Sequence, residues 1–202
     1  MATKAVLWDL GNVLLDWQPA LLYRKVFNTE DAVQDFLGRV CSMQWHARHD
    51  RGTPMADNAR TLIAQHPEHE EAILAWQSRF PEMIGGTIEG SAACVRALAH
   101  NNIPQYMLTN LPAEWVQPVH DLFPEMKWMQ DVIVSAHEGV IKPERRIYEI
   151  TAARLPHHPS EVIFFDDRED NILAARDFGF DAERFTGQEQ LVAALKDRKL
   201  LS

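Results

Sequence analysis

Several of the chain's chemically able side chains stand directly after short apolar runs. Asp9 closes the run Ala5-Val6-Leu7-Trp8 and is followed by the turn-forming pair Gly11-Asn12. Thr109 and Asn110 follow Gln105 to Leu108, while Asp166 and Asp167, then Asp170 and Asn171, follow Val162 to Phe165. Lys142 stands immediately before Pro143. A carboxylate, a hydroxyl–amide pair, an ammonium group and a carboxylate pair form a coherent chemical set. Carboxylates from separate segments can hold a hard divalent cation such as magnesium, which prefers oxygen ligands. With the cation and Lys142 neutralising phosphoryl oxygens and lowering the pKa of Asp9, this carboxylate can attack phosphorus in line and form an acyl phosphate.

The elements that must position these groups can be read from periodicity. Apolar runs at Ala5–Trp8, Gln105–Leu108, Val132–Val134 and Val162–Phe165 predict buried strands. Helical patterns lie between them at Ser91–His100, after Pro143 through Thr151, and at Asn171–Phe178, the last stopped by Gly179. Strands alternating with helices predict an α/β fold, a Rossmann-like mostly parallel sheet with helices on both faces. In such a sheet ligands bind beyond the carboxyl ends of the strands. The stretch from Pro19 to about Ile84 breaks the alternation: its apolar residues recur at helical spacing with no strand between them. We read residues 19–85 as an inserted helical module, a cap, with 1–18 and 86–202 forming the core and Gly85-Gly86 marking the return.

Composition narrows the partners. The 202 residues carry a formal charge of −9 and no basic stripe, which argues against a nucleic-acid surface. No apolar run is long enough to span a bilayer, and Met1 to Leu15 has neither a basic leader nor a cleavage site, so a cytoplasmic protein is expected. The two cysteines, Cys41 and Cys94, have no metal-ligand spacing. His66, His69, His157 and His158 read as solvated or structural, whereas His46, Arg48, His49 and Arg51, with Trp17 and Trp45, lie where the module would meet a substrate.

The segments Leu7-Trp8-Asp9-Leu10-Gly11-Asn12-Val13-Leu14, Leu108-Thr109-Asn110, Lys142-Pro143 and Phe164-Phe165-Asp166-Asp167-Arg168-Glu169-Asp170-Asn171-Ile172 together resemble the motifs of the haloacid dehalogenase superfamily, in family order. Within it the likeness is to sugar-phosphate phosphatases of the alpha-glucose-1-phosphate phosphatase type. The resemblance implies a magnesium-dependent phosphatase acting on a small phosphorylated metabolite, a sugar phosphate. It makes Asp9 the nucleophile and a metal ligand, the Gly11 carbonyl a second ligand, and Asp167 a third. Asp166 would ligate directly or through water, Asn171 would orient the acidic loop, and Thr109, Asn110 and Lys142 would hold the phosphate. One departure stands out: Gly11 occupies the position at which most phosphatases of the superfamily carry a second aspartate, the usual proton donor. A cap histidine or Asp16 would have to substitute. The alternatives are a metal-independent 2-haloacid dehalogenase, in which Asp9 attacks carbon, and a non-catalytic binding module on the same fold.

Overall fold

The computed structural model describes residues 2–201. The chain opens with strand β1 (Ala5–Trp8), whose residues are all buried. Val6 and Trp8 face one apolar cluster, Ala5 and Leu7 another, as the alternation of a strand covered on both faces requires. A tight loop follows, in which Leu14 and Leu15 both donate backbone N–H groups to the Leu10 carbonyl. Asn12 takes φ 57° here, a left-handed conformation that Asn tolerates better than most residues.

Strand β2 (Leu15–Trp17) leads into a helical segment comprising α1 (Pro19–Tyr23), α2 (Glu30–Asp35), α3 (Met43–Asp50), α4 (Met55–Ile63) and α5 (Glu70–Ser78). Strand β3 (Ile84–Thr87) then returns antiparallel to β2. This two-stranded ribbon was not anticipated. Its β3 sequence, Ile-Gly-Gly-Thr, has one large apolar residue and no alternation to read. The pair Gly85-Gly86, expected as a bare hinge, lies within β3, where a Cβ on Gly85 would collide with the Asp16 carboxylate.

The chain continues through α6 (Glu89–His100), β4 (Gln105–Thr109), α7 (Val116–Leu122), β5 (Asp131–Val134), α8 (Ser135–Glu138), α9 (Arg145–Arg154), β6 (Val162–Asp166), α10 (Glu169–Phe178), β7 (Asp181–Arg184) and α11 (Gln188–Asp197). Five strands form a parallel sheet in the order β5-β4-β1-β6-β7. The chain builds outward from β1 on one side, then crosses to build β6 and β7 on the other. The switch point therefore lies between β1 and β6, where a ligand crevice is expected. Strand β7 and helix α11 went unread in the sequence, because Asp-Ala-Glu-Arg is an edge strand with a single buried residue, Ala182. Pro143 does not open helix α9, which begins at Arg145; it sits in the preceding turn, after a cis Lys142–Pro143 peptide. Among the described residues no helix is long and apolar enough to cross a membrane.

Candidate active site

Asp9 directly follows β1, and Asp166 ends β6; the Asp9 N–H donates to the Phe165 carbonyl at 2.9 Å, extending the ladder to the sheet's rim. Asp167 follows, so that oxygens of Asp9, Asp166 and Asp167 lie within 4.8 Å of one another. Lys142 joins two of the three. Its Nζ lies 2.7 Å from Asp9 Oδ1 and 2.6 Å from Asp166 Oδ2, and also donates to the Leu108 carbonyl at 3.0 Å. The lysine is only 3% exposed, so these contacts take the place of water. Burial by itself would lower its pKa, but Asp166 and Asp9 outweigh that and raise it.

Asn110 sets the lysine's position. Its Nδ2 donates to the Lys142 carbonyl at 3.1 Å and its Oδ1 accepts from the Lys142 N–H at 2.8 Å. The Asn110 side chain, expected to help hold phosphate, is thus engaged with the backbone of Lys142. Thr109 is buried at the end of β4 beside it, its hydroxyl 3.5 Å from the Asn110 carbonyl.

Asp166 and Asp167 differ sharply. Both oxygens of Asp166 are taken: Oδ1 by the Arg168 N–H and Asn171 Nδ2, Oδ2 by Lys142 and the same Asn171 amide. Among the described residues Asp167 has a single side-chain partner, Asn12 Nδ2 at 3.4 Å. Asn12 also accepts from the Trp17 N–H at 3.1 Å, so one residue ties the first loop to the acidic loop. Asp9 and Asp167 are therefore the carboxylates with oxygens left to a cation, and Gly11 lines the same cleft. The Asp9 and Asp167 carboxylates form a hard, negatively charged oxygen set that fits magnesium. Lys142 does not by itself keep Asp9 in the ordinary carboxylate range. Burial outweighs the lysine and raises Asp9 to about 7, with Asp166 adding to the rise. Burial, then Asp166, also raises Asp167.

Helix α3 closes the cleft from above. Asp50, at the end of α3, lines the same cleft as Asp9, Lys142 and Asp167. It is 6% exposed, its Oδ1 has no hydrogen-bond partner, and the nearest ring nitrogen, His46 Nε2, stands 3.5 Å away. Burial raises the Asp50 carboxyl to about 7 against the pull of Lys142. The sequence reading passed over Asp50 in favour of its neighbours. His46 does reach the cleft, with Nδ1 accepting from Trp76 Nε1 at 3.2 Å. His49 is packed behind it against Trp45 and within 2.8 Å of the Asn58 amide. Burial lowers both histidines, to about 3 and about 4, so both are neutral. Arg48 is exposed, and Arg51 pairs with Glu144 at 2.5 Å. Asp16 belongs to the β2–β3 ribbon, its Oδ1 accepting from Gln18 Nε2 at 2.7 Å.

Gly11 leaves room. A Cβ built there meets nothing within 4 Å. Beyond it the cleft continues into a second, smaller apolar cavity of about 50 Å³ that shares Gly11, Trp17, His46 and Asn110 with the acidic site.

Comparison with known proteins places this arrangement in context. Residues 3–179 match the family of haloacid dehalogenase-like hydrolases. A sesquiterpene phosphatase of Aspergillus oryzae is 25% identical over 204 residues, covering 98% of this chain and 96% of its own. A HAD family enzyme of Bacteroides thetaiotaomicron, solved as a magnesium complex, aligns with a TM-score of 0.74 at 16% identity, over 97% of this chain and 100% of that one. An L-2-haloacid dehalogenase of Xanthobacter autotrophicus with chloropropionic acid covalently bound aligns at 0.68 and 18% identity, over 99% and 85%. At these identities the two structures share a fold with the chain.

Proposed function

Because the chain belongs to the haloacid dehalogenase-like hydrolases, we propose that it is a magnesium-dependent phosphatase that cleaves a small phosphate monoester through an aspartyl-phosphate on Asp9. The observation that carries this reading is the cluster itself: Lys142 held between Asp9 and Asp166, with Asp167 in reach of both acids. A dehalogenase attacking a carbon–halogen bond has no need of a cation-binding acid pair. The phosphatase relative supports the same choice.

In this reading Asp9, the Gly11 carbonyl and Asp167 hold magnesium, which when bound supplies charge neutralisation at the phosphoryl oxygens. Asp166, with no oxygen to spare, positions Lys142 and the acidic loop. Thr109 and the Lys142 ammonium bind the phosphoryl group, while Asn110 fixes the lysine. Asp9 attacks phosphorus and the bond to the leaving oxygen breaks. The alkoxide takes a proton from the Asp50 carboxyl, which burial keeps protonated near neutral pH. In the second half a water attacks the aspartyl-phosphate, Asp50 takes its proton, and orthophosphate leaves with Asp9 restored. Asp50 thereby fills the role that Gly11 cannot. Residues 19–85 act as the cap that encloses the reaction. The sugar-phosphate expectation rests on the motif resemblance alone, and the phosphatase relative is named for a sesquiterpene instead.

The test is phosphate release from p-nitrophenyl phosphate with magnesium, with excess chelator, and with Asp9→Asn. Turnover is expected only in the first case. Full activity in chelator, or halide release from 2-chloropropionate at a comparable rate, would overturn the reading.

A further inference from the structure

The cavity beyond Gly11 bears on what alcohol the phosphate is attached to. Its walls are Leu10, Leu15, Phe80, Ile84, Trp115 and Val119, drawn from the first loop, the ribbon, the helical turn before β3 and the segment after β4. Phe80 and Trp115 stack with centroids 3.9 Å apart, forming a flat aromatic wall. No Asp, Glu, Lys or Arg lines it. Three lining residues, His46, Thr109 and Asn110, carry other polar groups, and apart from His46 Nε2, which stands 3.5 Å from Asp50, these are engaged elsewhere. Asn110 grips the Lys142 backbone, His46 Nδ1 accepts from Trp76, and the Thr109 hydroxyl faces the Asn110 carbonyl. The buried Nε1 atoms of Trp17 and Trp115 have no partner, but an indole N–H is only a donor.

A sugar placed here would bury several hydroxyls with almost no acceptor to meet them, at a cost of about 1–3 kcal/mol for each one left unpaired. A hydrocarbon would meet mostly matching surface, leaving the two indole N–H groups as they already stand. The position is equally telling. The cavity adjoins the acidic cleft through Gly11, the residue next but one to the proposed nucleophile, and shares Trp17 and His46 with it. A phosphoryl group at Asp9 would therefore have its ester oxygen directed along an apolar channel.

We propose that this cavity is the leaving-group site and that the substrate is the phosphate monoester of an apolar alcohol, an alkyl, isoprenyl or aryl chain, rather than a sugar phosphate. The inference rests on the phosphatase reading for turnover, but the cavity can be tested without it.

The experiment is a series of n-alkyl phosphates from methyl to octyl, with geranyl phosphate and glucose 6-phosphate alongside. Each methylene that enters the cavity raises kcat/KM about fourfold until the cavity is filled. Geranyl phosphate exceeds glucose 6-phosphate by at least about 100-fold. Ile84→Asn, at a half-buried position on the wall, lowers the octyl-to-methyl ratio about tenfold. In parallel, binding of the matching n-alkyl phosphonates, which cannot be hydrolysed, is followed by tryptophan fluorescence, and Kd falls with chain length in the same progression. Phosphate release that is flat along the series, or greater for glucose 6-phosphate, overturns the apolar assignment and leaves the phosphatase reading standing. No turnover of any ester, with phosphonate affinity still rising along the series, overturns the phosphatase reading and leaves the apolar site standing. Phosphonate affinity independent of chain length overturns the site.

Discussion

Replacing Lys142 with Met keeps the length of the side chain and removes its charge. The ammonium contacts Asp9 at 2.7 Å and Asp166 at 2.6 Å, with Asp9 7% and Asp166 0% exposed. Taking one partner from a buried ion pair costs about 3–5 kcal/mol, because the remaining charge has neither water nor counter-ion. Here two carboxylates are left facing each other, so the upper half of that range is expected at pH 8. The penalty depends on pH in a direction the structure fixes. Asp9 already has a folded pKa of about 7, raised above the ordinary 3.8 by burial, with Lys142 opposing the rise. A raised carboxyl contributes stability that is full below the unfolded pKa and is lost as pH rises through the folded one. Without the lysine that folded pKa climbs further, so the variant is penalised most above pH 7. At pH 5.5 Asp9 holds a proton in both proteins, so its share of the penalty is gone. Urea unfolding followed by the fluorescence of the six tryptophans reads this directly. At an m-value of about 2 kcal/mol/M the midpoint falls by about 2 M at pH 8, and by clearly less at pH 5.5. An unchanged midpoint at pH 8, or a deficit that grows as pH falls, would refute the claim that this lysine neutralises the two acids.

Asp167→Ala removes an oxygen donor with a single side-chain partner, so it raises the magnesium concentration needed for half-maximal activity at least about tenfold while the folded protein keeps its melting temperature; an unchanged requirement rules Asp167 out as a ligand. Asp50→Asn lowers kcat/KM on alkyl phosphates about 100-fold and on p-nitrophenyl phosphate much less, since kcat/KM reports the first half-reaction and an acidic leaving group needs no proton there. Equal losses on both substrates would point to a structural role instead. Gly11→Asp, for which there is open space around the Cα, restores at least about tenfold of the alkyl phosphatase activity lost in Asp50→Asn, and no restoration would show that the two positions do not serve one role. His46 and His49 have folded pKa values of about 3 and about 4, below the ordinary 6.5, so their contribution is present above pH 6.5 and is lost as pH falls towards those values. Asp9 and Asp50 change stability in the opposite direction over the same interval. His49→Gln removes one opposing group, and its stability relative to the wild type rises by up to about 1.4 kcal/mol per pH unit on acidification from 6.5; a parallel pH profile would contradict the buried, neutral assignment.

The family and the architecture of the sheet could be read from the chain alone, because both rest on local pattern. Four buried strands are continuous apolar runs, and the residues at their ends are conspicuous because a polar group there must lie on the sheet's rim. Asp9, Thr109, Asn110, Asp166 and Asp167 were found this way, and Lys142 from its place before Pro143; the folded chain gathers them at the switch point between β1 and β6. Strand β7 escaped because an edge strand covered on one side needs little apolar sequence, and the β2–β3 ribbon because Gly85 serves close approach to Asp16 and Gly86 a positive φ rather than packing.

What tertiary structure alone decided is which groups meet and how each is spent. Asp166 and Asp167 are adjacent and chemically identical in the sequence, yet one is saturated by Lys142, Asn171 and a backbone N–H while the other keeps its oxygens available. Asp50 looks like any acid on a charged helix until α3 folds over the cleft and burial raises its pKa. The apolar cavity is made from residues as distant as Leu10 and Val119, none of which signals a ligand site by itself. Local sequence encodes which residue stands at the end of a strand. Burial, pairing and the shape of a cavity are sums over contacts between segments far apart in the chain, and they exist only once those segments have packed.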